Sequence, residues 1–247
     1  MSKNLLVIGL IIIVVGAFIY FSKTQTPSSA PLVNTKSLYN PTINPADFST
    51  NINNKYFTLK PGTKFVYNKT TEKGLEKVEI VVLNETREIM GVKTIGFRDT
   101  VTLAGQVIED TKDWHAQDKN GNVWYFGEDV NNYENGKLKD HKGAWTAGVD
   151  GAKPGIIMEA SPKVGDSYRQ EYYKGQAEDM ADAVALNKQV TAGGKNYTGC
   201  LQTRDWSKVD PELNEYKYYC PEVGFFTAGE NVKDGKEKVE LISISRQ

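Results

Sequence analysis

Apolar positions along this chain follow two different rules. Over residues 5–21 they run unbroken, LLVIGLIIIVVGAFIYF, without a charge. From residue 56 onward they alternate with polar positions in short runs punctuated by Gly, Pro, Asn and Asp. A helix over the first run would be about 25 Å long, close to the hydrocarbon thickness of a bilayer. It therefore reads as an uncleaved transmembrane anchor. The main competitor is a cleavable signal peptide, whose apolar core spans only about 7–15 residues and ends at a small-residue site. Here the nearest small pair, Ser28 and Ala30, is followed by Pro31, a poor residue beyond a cleaved bond. A buried core helix is the third reading. No Cys follows the run closely, which excludes a lipidated-cysteine anchor.

The alternating part predicts strands over 56–59, 64–68, 75–83, 92–103, 107–117, 123–126, 130–133, 137–139, 156–158, 166–173, 197–206, 215–220, 225–228 and 239–244. Val78, Ile80 and Val82 share one face, as do Ile95, Phe97, Val101 and Leu103, where Lys93 and Asp99 are exceptions of the same parity. The prediction is a mainly β fold: one antiparallel meander, as a curved sheet, half-barrel or sandwich, with one wet face. Helix and strand compete over 177–186, AEDMADAVAL, where Ala, Glu, Met and Leu favour helix but the surroundings favour sheet. Gly148, Gly151, Pro154 and Gly155 make 143–155 a long loop. Residues 22–54, rich in Ser, Thr, Pro and Asn, read as a flexible tether about 30 Å long. Leu38, Tyr39, Ile43 and Phe48 leave room for part of it to dock. The expected organisation is a short cytoplasmic amino terminus at 1–4, the anchor at 5–21, the tether at 22–54 and an extracytoplasmic β domain at 55–247.

Turn chemistry sharpens two places. Asn120 and Gly121 have the residues of a tight two-residue hairpin loop, which would set Gln117 opposite Trp124, His115 opposite Phe126 and Asp113 opposite Glu128. Cys200 and Cys220 lie in consecutive strands, equidistant from Asp210, so a symmetric hairpin places them within reach of a disulfide. Two unpaired buried thiols are the alternative. A disulfide requires an oxidising compartment. Charge asymmetry around the anchor is weak, with Lys3 before it and Lys23 and Lys36 after it, so the cysteines decide that the β domain lies outside the cytoplasm.

The 247 residues carry a formal charge of -1, which offers no basic field for nucleic acid. Aromatic residues make up 11%, with 13 Tyr, and 22 Gly punctuate the chain, in keeping with strands and tight turns. Two cysteines and two scattered histidines do not have zinc spacing, and no cofactor is implied.

Three segments carry a resemblance: DWHAQDKNGNVWYFGED at 113–129, AGVDGAKPGIIMEASPKVGDSYRQEYY at 147–173 and YKYYCPEVGFF at 216–226. They look like segments of uncharacterised bacterial secreted and lipid-anchored envelope proteins. The resemblance covers most of 56–229 and implies an envelope-exposed β domain. It transfers no catalytic residue. The helical anchor departs from the lipidated cysteine usual there.

Candidate chemistry is thin. Asp118, Asn120 and Asn122 are spaced like calcium ligands, but the bidentate Glu that closes such a loop is missing, and a plain turn is the simpler reading. Glu109, Asp110, Asp113, Glu128 and Asp129 could face one another across a hairpin, as a hydrolase would need. His115 and His141 lack a nearby activated nucleophile. The expectation is a non-enzymatic binding or interaction module for an apolar or envelope ligand, anchored in the membrane through 5–21. Its ligand-binding candidates are Trp114, Trp124, Tyr125, Phe126, Trp145, Tyr172 and Tyr173. The alternative is an envelope hydrolase using Asp113 and Glu128.

Overall fold

The computed structural model describes residues 39–246. The anchor expected at 5–21 lies outside them. Among the described residues, no helix is long and apolar enough to cross a membrane.

One 3-10 turn, Pro45–Asp47, precedes eighteen strands. A short entry comes first: β1 (Phe48–Ser49), β2 (Ile52–Asn54) and β3 (Phe57–Leu59). Long hairpins follow as β4 (Thr63–Thr71), β5 (Gly74–Ile89), β6 (Val92–Leu103), β7 (Gln106–Asp118) and β8 (Val123–Glu134). Short pieces come next: β9 (Lys137–Asp140), β10 (Trp145–Thr146), β11 (Lys153–Met158), β12 (Ser167–Arg169) and β13 (Glu171–Tyr172). The chain ends in β14 (Asp179–Ala192), β15 (Lys195–Ser207), β16 (Asn214–Cys220), β17 (Phe225–Asn231) and β18 (Lys238–Arg246).

β2 and β3 pair only with each other, and the other sixteen strands form one antiparallel sheet, in the order β12-β14-β15-β16-β17-β18-β4-β5-β6-β7-β8-β11-β13 with β1 added on β7 and β9 and β10 on β8. Its two ends are made by one stretch of chain. β12 pairs with β14, and two residues later β13 pairs with β11, so residues 167–172 pass from one wall to the other and nearly close a barrel. The hand-over is tight: a Cβ on Gly155 would lie 2.3 Å from the Gln170 carbonyl oxygen. The mainly antiparallel expectation holds, in the form of a barrel-like sheet.

The β2–β3 hairpin packs on the barrel wall, burying Ile52, Phe57 and Leu59 in the common core. Phe57 meets Phe225 and His115, and Phe225 in turn stacks on Phe65. The tether therefore ends earlier than residue 54. Tyr39 donates to the Pro154 carbonyl at 2.8 Å, Phe48 pairs with Asp118 and packs edge-on to Trp124 and Phe126, and Gln117 accepts from the Asn53 and Asn54 amides. Apolar side chains offset the ordering entropy that the segment's polar composition alone could not.

Three further expectations change. Residues 179–186 are strand and not helix: β14 pairs with β12 and β15, and this ladder overrides helix propensity. The loop at 143–155 is interrupted by β10, paired with β8, and its last residues already belong to β11. The alternate face of β7 is not wet. Glu109, Thr111, Asp113 and His115 pair with Val101, Asp99, Phe97 and Ile95 and are all buried inside the barrel.

Candidate functional site

The β7–β8 hairpin builds the densest cluster of candidate side chains. Its turn is longer than two residues because Asp118 takes it over. The Asp118 carbonyl accepts from the Gly121 amide, while the Asp118 carboxylate accepts from the Asn120 and Asn122 amides, the Asn122 side chain and the Trp124 indole. This ties up both Asp118 carboxylate oxygens, and the Asn122 side-chain oxygen accepts from the Ala160 amide, so two of the three calcium-like positions are taken. It also moves the register: Gln117 pairs with Val123 and His115 with Tyr125. A bulge at Phe126 then restores the expected pairing of Asp113 with Glu128.

The bulge brings Tyr125 and Glu128 together. The Tyr125 hydroxyl lies 2.5 Å from Asp113 Oδ1 and 3.0 Å from Glu128 Oε2, bridging two carboxyl groups that are at most 1% exposed. His115 stacks between Phe97 and Tyr125, and neither ring nitrogen has a hydrogen-bond partner. Burial lowers its pKa to about 3, so it is a neutral ring in an aromatic stack.

Sequence reasoning missed how far this polar interior extends. Beyond Glu128 lie Glu171 on β13 and Asp179 on β14. Past these, Lys217 on β16 pairs with Asp205 at 3.0 Å and Glu215 at 3.2 Å, and Gln170 donates to Asp205. On the other side, Glu109 accepts from the Thr111 hydroxyl, Lys69 pairs with Glu76 at 3.7 Å, and neither oxygen of Asp99 has a hydrogen-bond partner. Asp99, at the parity of Ile95, Phe97 and Val101, was the visible signal.

Burial is the main cause of the proton affinities here. It raises Asp113 and Asp179 to about 7 and Glu109 to about 8, although hydrogen bonds from Tyr125, Ser207 and Thr111 oppose it. It holds Asp99, Glu128 and Glu171 well above the ordinary carboxyl range, and the neighbouring acids add to the effect. Burial also disfavours the Lys217 ammonium, but Asp205 and Glu215 outweigh it and raise that pKa. Acids outnumber lysines inside, and they are accommodated by keeping protons.

Space decides what this interior can do. A small cavity of about 10 Å³, lined by Tyr125, Gln170, Glu171, Asp179, Lys217 and Tyr219 among others, has room for about one water. A substrate cannot reach Asp113 and Glu128 unless the barrel opens. Of the other hairpin acids Glu109 lies inside, whereas Asp110 and Asp129 point outward and are neutralised: Arg98 binds Asp110, and Arg87 binds Asp129. Among the described residues no group of three or more His, Cys, Asp or Glu could hold a metal ion.

The seven aromatic candidates separate. Tyr125 is inside, with Trp145 edge-on to it at 5.2 Å. Trp114, on the opposite face of β7 from Asp113, lies under Arg87 and donates to Asp129. Trp124 and Phe126 pack on Phe48, and Tyr172 packs on Tyr39 and Arg169. Among the described residues Trp145 and Tyr173 share a depression. It is an outer groove of about 270 Å³ bounded by Asp129, Thr146, Val149, Asp150 and Gln176. Cys200 and Cys220 form the expected disulfide between β15 and β16.

Fold and interior together define a class: an antiparallel, nearly closed barrel whose lumen is filled by its own polar and aromatic side chains. No family model and no curated protein matches the chain. The solved structures to which it is similar include a suspected lipoprotein from Parabacteroides distasonis ATCC 8503 at 2.70 Å resolution. The identity is 13%, the TM-score 0.40, and the match covers 77% of this chain and 98% of that one. A likeness of that size carries no argument about activity or location.

Proposed function

We propose that this chain is a membrane-tethered, extracytoplasmic, non-enzymatic module that binds an envelope component at its outer surface. One observation carries the reading: among the described residues the lumen is packed with side chains around a small cavity of about 10 Å³, while an outer groove of about 270 Å³ lies open beside Trp145 and Tyr173. A carrier of apolar molecules needs a lumen of several hundred Å³, and a hydrolase needs water and substrate at its carboxylates. Neither requirement is met inside. In the groove, Trp145 forms a buried floor, Tyr173 a half-buried wall, and Asp129, Asp150 and Gln176 a polar rim. Apolar floors with polar rims are usual for recognition surfaces. The anchor at 5–21 would hold the groove near the membrane.

The test is photo-crosslinking of the full chain, with the reactive group at the exposed Val149, against a purified cell-envelope fraction. A discrete adduct that is lost with Tyr173→Ala is expected. Labelling that ignores Tyr173→Ala, or a stoichiometric lipid extracted from the barrel and identified by mass spectrometry, would overturn the reading.

A further inference from the structure

β17 and β18 begin as neighbours and then part. Three residue pairs join them, from Ala228 with Glu240 to Glu230 with Lys238, and the ladder stops there. β18 continues to Arg246, paired with β4 on its other side as far as Thr63.

The two edges opened by this split are treated differently. On β17 the Phe226 carbonyl accepts from the buried Tyr67 hydroxyl at 2.9 Å, and the Gly224 carbonyl accepts from the Thr58 amide on β3. On β18 the tip of the β14–β15 hairpin closes over Leu241, where a Cβ on Gly193 would lie 2.4 Å from the Leu241 oxygen. Beyond that point no strand among the described residues pairs with 242–246 on the side away from β4. All five residues are exposed, including Ile242 at 43% and Ile244 at 46%.

An open edge presents a row of backbone donors and acceptors, and soluble proteins guard such edges with charge, proline or brevity. β9 carries Lys137, Lys139 and Asp140 in its four residues, and β1 and β10 are two residues each. The β18 edge reads Ile-Ser-Ile-Ser-Arg, with no proline and no charge before Arg246.

We infer that the outer edge of β18, residues 242–246, is an isologous interface at which a second copy of this chain adds its own β18 antiparallel. The occupant follows from the register. Ile244 pairs with Phe65 and shares its face, whereas Ser243 and Ser245 pair with Val66 and Lys64 on the other face. A two-fold axis at Ile244 sets Ile244 opposite itself and Ser243 opposite Ser245 of the copy, so each residue meets one on its own face. Arg246 then meets Ile242, and no like charges oppose. A slip of one residue would set Ser against Ile across opposite faces. This inference does not depend on ligand binding at the outer groove.

Cysteine cross-linking of the full chain under mild oxidation tests it. Ile244→Cys is expected to give a disulfide-linked species of twice the chain mass that Leu138→Cys, equally exposed on the β9 edge, does not give. Ser243→Cys and Ser245→Cys, each monomeric alone, are expected to link when the two proteins are mixed. Dimer from Ile244→Cys no greater than from Leu138→Cys would overturn the interface, as would an edge covered by the chain's own amino-terminal segment. Linking of Ser243→Cys to itself would overturn the register. The positions are exposed, and an intact Cys200 to Cys220 bond reports folding in each variant.

Discussion

Asp99 shows how a single position carries information that periodicity alone discards. It occupies a core parity on β6 between Phe97 and Val101, and it is buried without a hydrogen bond to either oxygen. A charged carboxylate there would cost several kcal/mol, so the group keeps its proton, as do its neighbours. Asp99, Glu109, Asp113, Glu128, Glu171 and Asp179 all hold protons more tightly in the folded chain than a free carboxyl does. The folded state thus binds more protons than the unfolded state above the ordinary carboxyl pKa of about 4. The stability these groups contribute is complete below that value and is lost as pH rises through about 7 for Asp113 and Asp179 and about 8 for Glu109. His115, lowered to about 3, acts in the opposite sense below its ordinary value, but it is one group against six. Urea midpoints measured from pH 5 to pH 9 are expected to fall throughout, and a flat or rising series would refute the protonated interior. Glu109→Gln keeps an acceptor for Thr111 and removes one titrating group, so its midpoint should fall less steeply and exceed that of the parent at the alkaline end. Ala104 is a separate case. It turns the chain between β6 and β7 at φ 50°, where a side chain costs about 1–2 kcal/mol and glycine does not. Ala104→Gly is expected to raise stability by about 0.5–1 kcal/mol, less than the full strain because glycine gains freedom in the unfolded chain.

At the scale of the element, what the sequence reveals and what it hides both follow from range. The limits of β6 were legible to the residue, because Val92 and Leu103 flank alternating positions between turns. Cys200 faced Cys220 because the β15–β16 hairpin is symmetric about Asp210. The β7–β8 hairpin was legible only in part. Asn120 and Gly121 do mark its turn, but Asp118 holds four groups of that turn and widens it. Restoring the pairing of Asp113 with Glu128 then needs a bulge at Phe126, whose ring packs on Phe48 from a segment of tether-like composition. No local pattern encodes a contact across that many residues. For the same reason 177–186 could not be settled from composition. Ala181 and Ala183 are helix formers placed opposite Asp205 and Thr203 and buried in the interior. Asp118→Ala should cost about 1–3 kcal/mol, since it removes the acceptor of two backbone amides and the Trp124 indole. Thermal unfolding reads that loss, and a tryptophan emission spectrum unchanged by the substitution would argue against the bond.

At the scale of the whole molecule, the disulfide and the proposed anchor make demands on each other. Cys200 and Cys220 join neighbouring strands of the barrel wall, both fully buried, and close a loop with a separation of 20 residues. In the chain-entropy account a loop of this size contributes about 3 kcal/mol, which reduction would remove. Such a bond persists in an oxidising compartment and is scarce in the cytosol. In the proposed reading the apolar run at 5–21 would supply a route to that compartment, and residues 22–38 would supply the reach from the bilayer. Neither feature alone fixes location, because buried thiols survive in the cytosol and an apolar helix can face either way. Together they make one prediction. In intact cells a membrane-impermeant maleimide should label neither cysteine, and two additions should appear only after unfolding and reduction. The full chain should stay in the membrane pellet through an alkaline carbonate wash, and external protease should release the barrel by cutting within 22–38. A chain recovered in the soluble cytosol with two alkylatable thiols would break the link between the disulfide and the anchor, and the proposal of an envelope module would fall with it.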